Sequence, residues 1–203
     1  MFIRRVCPLH SRKGDDVKTY GMWLHGKEQP IASRKTFVSL NPTNEKPLAE
    51  FVAGTKKDVD VAVMSAKKAQ SSWSQLPAPR RGDILFEVAH LLKQNKERLG
   101  KLVSTEMGKV LKEGLGDVQE AIDVFEYMAG EGRRLFGHTT PSELPHKTAY
   151  TLRVPLGVVG MITPWNFPIA IPAWKIAPAL ICGNSLVLKP SSDTPLCAYE
   201  LVK

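Results

Sequence analysis

From Pro155 to Trp174 the sequence carries no charged residue, over roughly the length that spans a bilayer. The run nevertheless contains Pro155, Pro164, Pro168 and Pro172, with Asn166 at its middle. Each proline removes a backbone donor and interrupts a helix, and lipid offers no partner for the groups so freed. A membrane span fits poorly, and the buried interior of an α/β protein fits well. At 203 residues and 43% hydrophobic, the chain is long enough to build a sizeable core around such a run.

The periodicity around the run supports that reading. Val158 to Ile162 is a short apolar stretch suited to a buried strand, a helix is predicted from about Pro168 to Leu180, and Ser185 to Leu188 reads as a second strand. A strand–helix–strand unit of this kind pairs its strands in parallel through a right-handed crossover. Just upstream, Tyr150, Leu152 and Val154 alternate with polar residues as a half-exposed strand, and Pro195 to Lys203 opens another helix.

The first part of the chain has a different texture. Short strands and turns are predicted over 20–53: Trp23 and Leu24 before a His25-Gly26-Lys27 turn, Thr36 to Val38, an Asn41-Pro42-Thr43 turn, and Ala49 to Ala53. Thr55 with Asp58 forms a capping-box pattern, after which Val59, Ala62, Val63, Ala66, Ala69 and Trp73 fall on one helical face until Pro77 and Pro79 end the helix. A second helix is predicted from about Arg80 to Met107, with Leu85, Val88, Ala89, Leu92, Leu99 and Leu102 inward. A third places Leu111, Leu115, Val118, Ile122, Phe125 and Ala129 at steps of four and three. These stripes are packing surfaces without assigned chemistry.

Charge and cysteine content narrow the function. The net charge of +8 comes from Lys and Arg interleaved with acids along helices, so no nucleic-acid partner is expected. Cys7, Cys182 and Cys197 have unrelated spacings and no CxxC pair, so neither a disulfide framework nor a metal site is expected, and a cytoplasmic location fits best. Met1 to Lys13 is basic and free of acids, faintly like a transit peptide, but has neither a long apolar stretch nor a cleavage pattern. It reads as a flexible extension.

The loop Thr163-Pro164-Trp165-Asn166-Phe167 follows a buried strand at its carboxyl end, where open α/β sheets bind ligands. Lys189, Ser191 and Ser192 follow the next strand at the same end, bringing a cation and hydroxyls towards the same crevice. A phosphate- or ribose-bearing ligand suits them. A solvated strand end, with hydroxyls capping the next helix, explains Lys189 to Ser192 equally simply, and Asn166 has a plain reading as a cap of the helix beginning at Pro168. No G-x-G-x-x-G fingerprint is present. The residues alone thus reach an α/β ligand-binding domain.

A resemblance goes further. From about Met22 onward, through Gly26-Lys27, the N-P-T turn, E-M-G-K at Glu106 to Lys109 and P-L-G-V-V-G-M-I-T-P-W-N-F-P at Pro155 to Pro168, the chain resembles the aldehyde dehydrogenase superfamily. The resemblance implies an α/β fold: the N-terminal part of a Rossmann-like cofactor domain, a strand-and-helix preface and part of an oligomerisation arm. Its implied divisions are an extension at 1–19, the preface at 20–136, an arm strand at 137–155 and the first strand–helix–strand of the NAD(P)-binding domain at 156–203.

By the same resemblance, Ile162, Thr163, Pro164 and Trp165 line the nicotinamide–ribose side of NAD or NADP, while Lys189, Ser191 and Ser192 serve the adenosine ribose. The Asn166 amide stabilises the oxyanion formed when a cysteine attacks the aldehyde. Phe167, Ile171 and Trp174 match positions that wall the aldehyde tunnel, and are equally ordinary apolar helix residues. Ser192 departs from many NAD-preferring relatives, which carry Glu there.

The family's base and nucleophile segments, of E-L-G-G and G-Q-x-C type, have no match here. Cys182 and Cys197 sit in other settings, as small hydrophobes. The expectation is the amino-terminal part of an NAD(P)-dependent aldehyde dehydrogenase oxidising an aldehyde, such as a semialdehyde, to a carboxylate. When complete it would be a homodimer or homotetramer, and the 203 residues alone would be inactive. The alternatives are a non-catalytic nucleotide-binding or assembly module, and an inactive gene fragment.

Overall fold

The structure, a computed structural model, describes residues 17–31 and 34–203. Cys7, the basic segment up to Lys13 and most of the expected 1–19 extension lie outside the described residues.

The chain begins with five short strands: β1 Thr19–Tyr20, β2 Trp23–Leu24, β3 Lys27–Glu28, β4 Thr36–Leu40 and β5 Pro47–Val52. β2 and β3 form a hairpin through a turn at His25 and Gly26, while β5 lies between β1, to which it is parallel, and antiparallel β4. The aromatic rings of Tyr20, Phe37 and Phe51 pack together on this small sheet.

Helix α1, Lys56–Gln75, starts with the reciprocal bonds its sequence predicts. The Asp58 N–H donates to the Thr55 hydroxyl, and the Thr55 N–H donates to the Asp58 carboxylate at 2.7 Å. The predicted apolar stripe fares less well. Only Ala66 is buried on α1, while Val59, Val63 and Ala69 are exposed. Polar anchors hold the helix instead: Gln70 bonds both the Gly183 carbonyl and the Ser185 N–H, and the Trp73 indole N–H donates to the Leu180 carbonyl at 3.0 Å.

The single helix predicted over 80–107 is two, α2 Ala78–Gln94 and α3 Lys96–Met107. Asn95 separates them with φ −100° and ψ 6°. Its N–H is turned onto the Leu91 and Leu92 carbonyls, and its side-chain amide donates to Leu91 at 2.9 Å. An asparagine side chain competes with the helical ladder in this way. Helix α4, Leu111–Glu131, then buries Val118, Ile122, Phe125 and Ala129 against Leu85, Ala89 and Leu92 of α2 and Leu99 and Val103 of α3. The helices α3 and α4 approach closely where both lack side chains. A Cβ at Gly114 would stand 2.5 Å from the Gly100 carbonyl oxygen.

Strands β6 Thr139–Pro141 and β7 Thr148–Tyr150 form an exposed antiparallel hairpin. The strand expected through Val154 ends at Tyr150. After one further bond from the Thr151 N–H to the His138 carbonyl, the ladder stops, because the chain before Gly137 belongs to the turn that follows α4. Leu152, Val154 and Leu156 are left exposed.

The strand–helix–strand unit consists of β8 Val158–Ile162, α5 Ala170–Ile181 and β9 Ser185–Lys189, followed by α6 Pro195–Val202. β8 and β9 are parallel, with Ile162 opposite Lys189. β8 is less buried than its composition predicts, with Met161 inward and Ile162 outward, since helices cover one of its faces. Ile169, Ala173, Ala177 and Ile181 join the core of α2 and α4. Among the described residues no helix is long and apolar enough to cross a membrane.

Two carboxylates of the preface secure the helices of this unit. Asp117 of α4 accepts the N–H groups of Ile169 and Ala170 at the start of α5, at 3.3 and 2.7 Å. Glu106 of α3 accepts those of Leu196 and Cys197 at the start of α6, both at 2.8 Å, and the Ser39 hydroxyl at 2.7 Å. These bonds satisfy donors that a helix cannot satisfy internally. Burial pushes both carboxyls above the usual range, opposed by the bonds they accept. At the other end of α5, buried Arg81 caps carbonyls, donating to Ile181 at 3.0 Å and to Leu76 beyond α1.

Candidate functional site

The loop after β8 runs from Thr163 to Ile169 and projects towards α4. Thr163 is buried, and its N–H donates to the Lys189 carbonyl at 3.2 Å, tying the two strand ends together. Pro164, Trp165, Asn166 and Phe167 are exposed. Trp165, Asn166 and Phe167 line a cleft of about 460 Å³ whose far wall is Met107, Lys109, Glu113, Gly116, Asp117 and Glu120. The Phe167 ring stacks on Trp174 with centroids 6.1 Å apart, and Ile171 is half-buried in the first turn of α5.

Lys189, Ser191 and Ser192 line a second, larger cleft of about 850 Å³. Its other walls come from Trp23 to His25, the start of α1, and Tyr199 of α6. Lys189 enters none of the ion pairs formed among the described residues. Asp193 is the nearest carboxylate in sequence and does not line the cleft; its side chain is engaged with the Ser191 hydroxyl at 3.3 Å.

The single crevice expected from the sequence is therefore two clefts. The ends of β8 and β9 are neighbours, but their loops leave in different directions, one over α4 and the other towards α1 and α6. Ile162, Thr163 and Pro164 line neither cleft.

The helix-capping alternative for Asn166 is not what the chain does. Asp117 caps α5, and the Asn166 side-chain amide makes no hydrogen bond among the described residues. Its backbone is held: the Lys109 ammonium donates to the Asn166 carbonyl at 2.9 Å, lies 4.0 Å from the centre of the Phe167 ring and pairs with Asp117 at 3.2 Å. The Lys109 and Asp117 side chains are 6% and 0% exposed, so this pair is shielded from water. Sequence reasoning singled out Lys109 only as part of a motif and missed Asp117, whose position on α4 gives no sign of burial.

The two described cysteines are both remote in character from a nucleophile. Cys197 is fully buried, and burial together with Glu106 pushes its thiol well above its usual range. Cys182 is exposed at the end of α5 opposite to Asn166. Among the described residues no cluster of three or more His, Cys, Asp or Glu side chains is arranged to hold a metal ion.

Residues 30–203 match the profile of the aldehyde dehydrogenase family, and the chain belongs to that family. It is 40% identical over 188 residues to the alpha-ketoglutaric semialdehyde dehydrogenase of Bacillus subtilis, covering 92% of this chain and 38% of that protein. It is also 40% identical over 185 residues to aldehyde dehydrogenase family 7 member A1 of Brassica napus, covering 90% of this chain and 36% of that one. The crystal structure of an NAD-dependent benzaldehyde dehydrogenase from Corynebacterium glutamicum superposes with a TM-score of 0.83 at 32% identity, over 88% of this chain and 40% of that one. The chain thus spans between 36 and 40% of the length of these relatives. The α/β fold is that of aldehyde dehydrogenases and contains part of a Rossmann-like domain.

Proposed function

We propose that this chain is the cofactor-side portion of an NAD(P)-dependent dehydrogenase that oxidises an aldehyde, of which a semialdehyde is one candidate, to a carboxylate. The observation that carries the reading is Asn166: an exposed, unbonded side-chain amide on a loop whose backbone is fixed. A neutral donor held in that way stabilises developing negative charge without being deprotonated. The carbonyl oxygen of a bound aldehyde would lie against this amide, with Phe167, Ile171 and Trp174 walling its approach.

The residues fit a dinucleotide. The larger cleft offers Lys189, which pairs with no acid among the described residues, with the hydroxyls of Ser191 and Ser192 for an adenosine ribose and its phosphate, and the smaller cleft offers Trp165 beside Asn166. Ile162 stands opposite Lys189 at the adjoining strand ends, with Thr163 and Pro164 next along the chain, where they would lie alongside the ligand between the two clefts. Bound there, NAD or NADP supplies the acceptor for the aldehyde hydride. NAD-dependence in the Corynebacterium relative's name supports the same reading.

Cys197 is buried and Cys182 lies at the wrong end of α5, so the described residues supply an oxyanion donor and half a cofactor site, without the attacking thiolate. The reading keeps a preface over 20–136, an arm strand at 137–155 and the cofactor unit at 156–203, and the exposed β6–β7 hairpin supports the arm. The hairpin's exposed edge suits a homodimer or homotetramer contact. An aldehyde panel assayed with NAD and NADP tests this reading. The 203-residue chain is expected to stay at background, and the enzyme carrying this segment with its nucleophile is expected to lose about 10²–10³ in kcat on Asn166→Ala. An unchanged kcat in that variant refutes the role of Asn166.

A further inference from the structure

We propose that Lys109, working with Asp117, is the residue that positions the Asn166 amide. The proposal rests on reading Asn166 as the oxyanion donor. An exposed side chain with no bonds of its own takes its direction from its backbone, so whatever fixes that backbone fixes the donor. An oxyanion donor has to be held within about 0.5 Å of its working position.

Across Asn166 to Ala170, every backbone group that is hydrogen-bonded to a side chain among the described residues ends on these two residues, while the Phe167 ring also stacks on Trp174. The Asn166 carbonyl and the face of the Phe167 ring meet the Lys109 ammonium, and the N–H groups of Ile169 and Ala170 meet the Asp117 carboxylate. The ammonium and the carboxylate then meet each other at 3.2 Å, closing the clamp. All three ammonium donors are used: one on the carboxylate, one on the carbonyl and one towards the ring.

The charges are informative because capping α5 does not need them. An Asn at position 117 with an apolar residue at 109 would cap the helix without burying a charge, and taking an ion pair out of water is costly unless good geometry and further hydrogen bonds repay it. The clamp also has a rigid base. Gly108, the residue before Lys109, ends α3 with φ 91°, where a Cβ would stand 2.9 Å from the Pro42 ring. The turn that aims Lys109 at the loop is thereby fixed to glycine.

The test uses the 203-residue chain with its asparagines labelled with ¹⁵N. Asn166 reports the clamp, and Asn184, bonded to the Ala179 carbonyl and the Gly157 N–H near the far end of α5, is the internal control. The double variant K109M/D117N keeps an oxygen to cap Ile169 and Ala170 and leaves no buried charge unpaired, so the fold is retained while the Asn166 carbonyl loses its donor. The backbone amide of Asn166 is expected to fall from an order parameter of about 0.85 to below about 0.6, with Asn184 unchanged. An Asn166 as ordered in the variant as in the wild type overturns the proposal. So does loosening of Asn184 alongside it, which would make the pair a general prop of the core. Neither outcome bears on whether Asn166 acts as the donor, which Asn166→Ala decides separately by turnover with the clamp intact.

Discussion

Gly114 and Gly116 lie two residues apart on α4, and alanine at these positions should move stability in opposite directions. Replacing a helical glycine by alanine gains about 1 kcal/mol from reduced backbone entropy in the unfolded chain and better helix propensity. At Gly116 the added Cβ meets nothing within 4 Å, so the gain stands alone. At Gly114 the Cβ would lie 2.5 Å from the Gly100 carbonyl oxygen and 2.7 Å from the Ser104 hydroxyl. The hydroxyl can rotate away; the carbonyl belongs to the α3 ladder and cannot.

An ordinary carbon–oxygen contact is about 3.3 Å or more, so α3 and α4 would have to part by roughly 0.8 Å. Overpacking of this kind costs about 1–3 kcal/mol, and backbone contact places Gly114→Ala at the upper end. The net loss is about 1–2 kcal/mol. For a chain of this length, each kcal/mol moves the melting temperature by about 2–4 °C. Thermal melts followed by far-UV circular dichroism should therefore show Gly116→Ala about 2–4 °C above wild type and Gly114→Ala about 2–8 °C below. A Gly114→Ala protein that melts at or above wild type refutes the claim that the helices touch through their glycines.

Further expectations test the start of α1 and the larger cleft. The Thr55 hydroxyl and Arg34 hold the Asp58 carboxyl down to about 2, from an ordinary value of 3.8, so its stabilisation is present above pH 3.8 and fades as pH falls towards 2. Urea midpoints of wild type and Asp58→Asn should thus converge between about pH 4 and pH 2, and a constant gap across that range contradicts the assignment. Thr55→Ala should cost about 1 kcal/mol in the same assay through loss of the cap. In the enzyme carrying this segment, Ser192→Glu should shift kcat/KM towards NAD by placing a carboxylate beside the 2′-phosphate of NADP. A like-charge contact at about 4 Å costs about 4 kcal/mol at an effective dielectric of 20. An unchanged NADP-to-NAD ratio would show that Ser192 is away from the ribose.

What the sequence made legible follows from how local its cause is. The Thr55–Asp58 box, the stop before Pro77 and the inward faces of α2, α3 and α4 rest on spacings within one helix, and they stand as read except at Leu111, the first residue of α4, which is exposed because the helix has only just begun. The break at Asn95 is nearly local as well, yet no glycine or proline marks it; the asparagine side chain does the work by turning back on Leu91. The burial of α1 was misread because Gln70 and Trp73 attach it through polar bonds to residues more than a hundred positions away, where hydrophobic spacing gives no guidance. In the candidate site, the loop residues were visible in sequence, while their separation into two clefts was not. That separation depends on which way each loop leaves its strand.

The caps on α5 and α6 also set a direction for assembly. Each helix begins with donors satisfied from much earlier in the chain: Asp117 lies 52 and 53 residues before the groups it accepts, and Glu106 lies 90 and 91 residues before its own. During synthesis from the amino terminus, the four-helix preface leaves the ribosome with both acceptors already in place. The first turns of α5 and α6 then emerge onto a waiting template. A circular permutant that places the strand–helix–strand unit ahead of the preface reverses that order, exposing uncapped helix starts while the template is still being made.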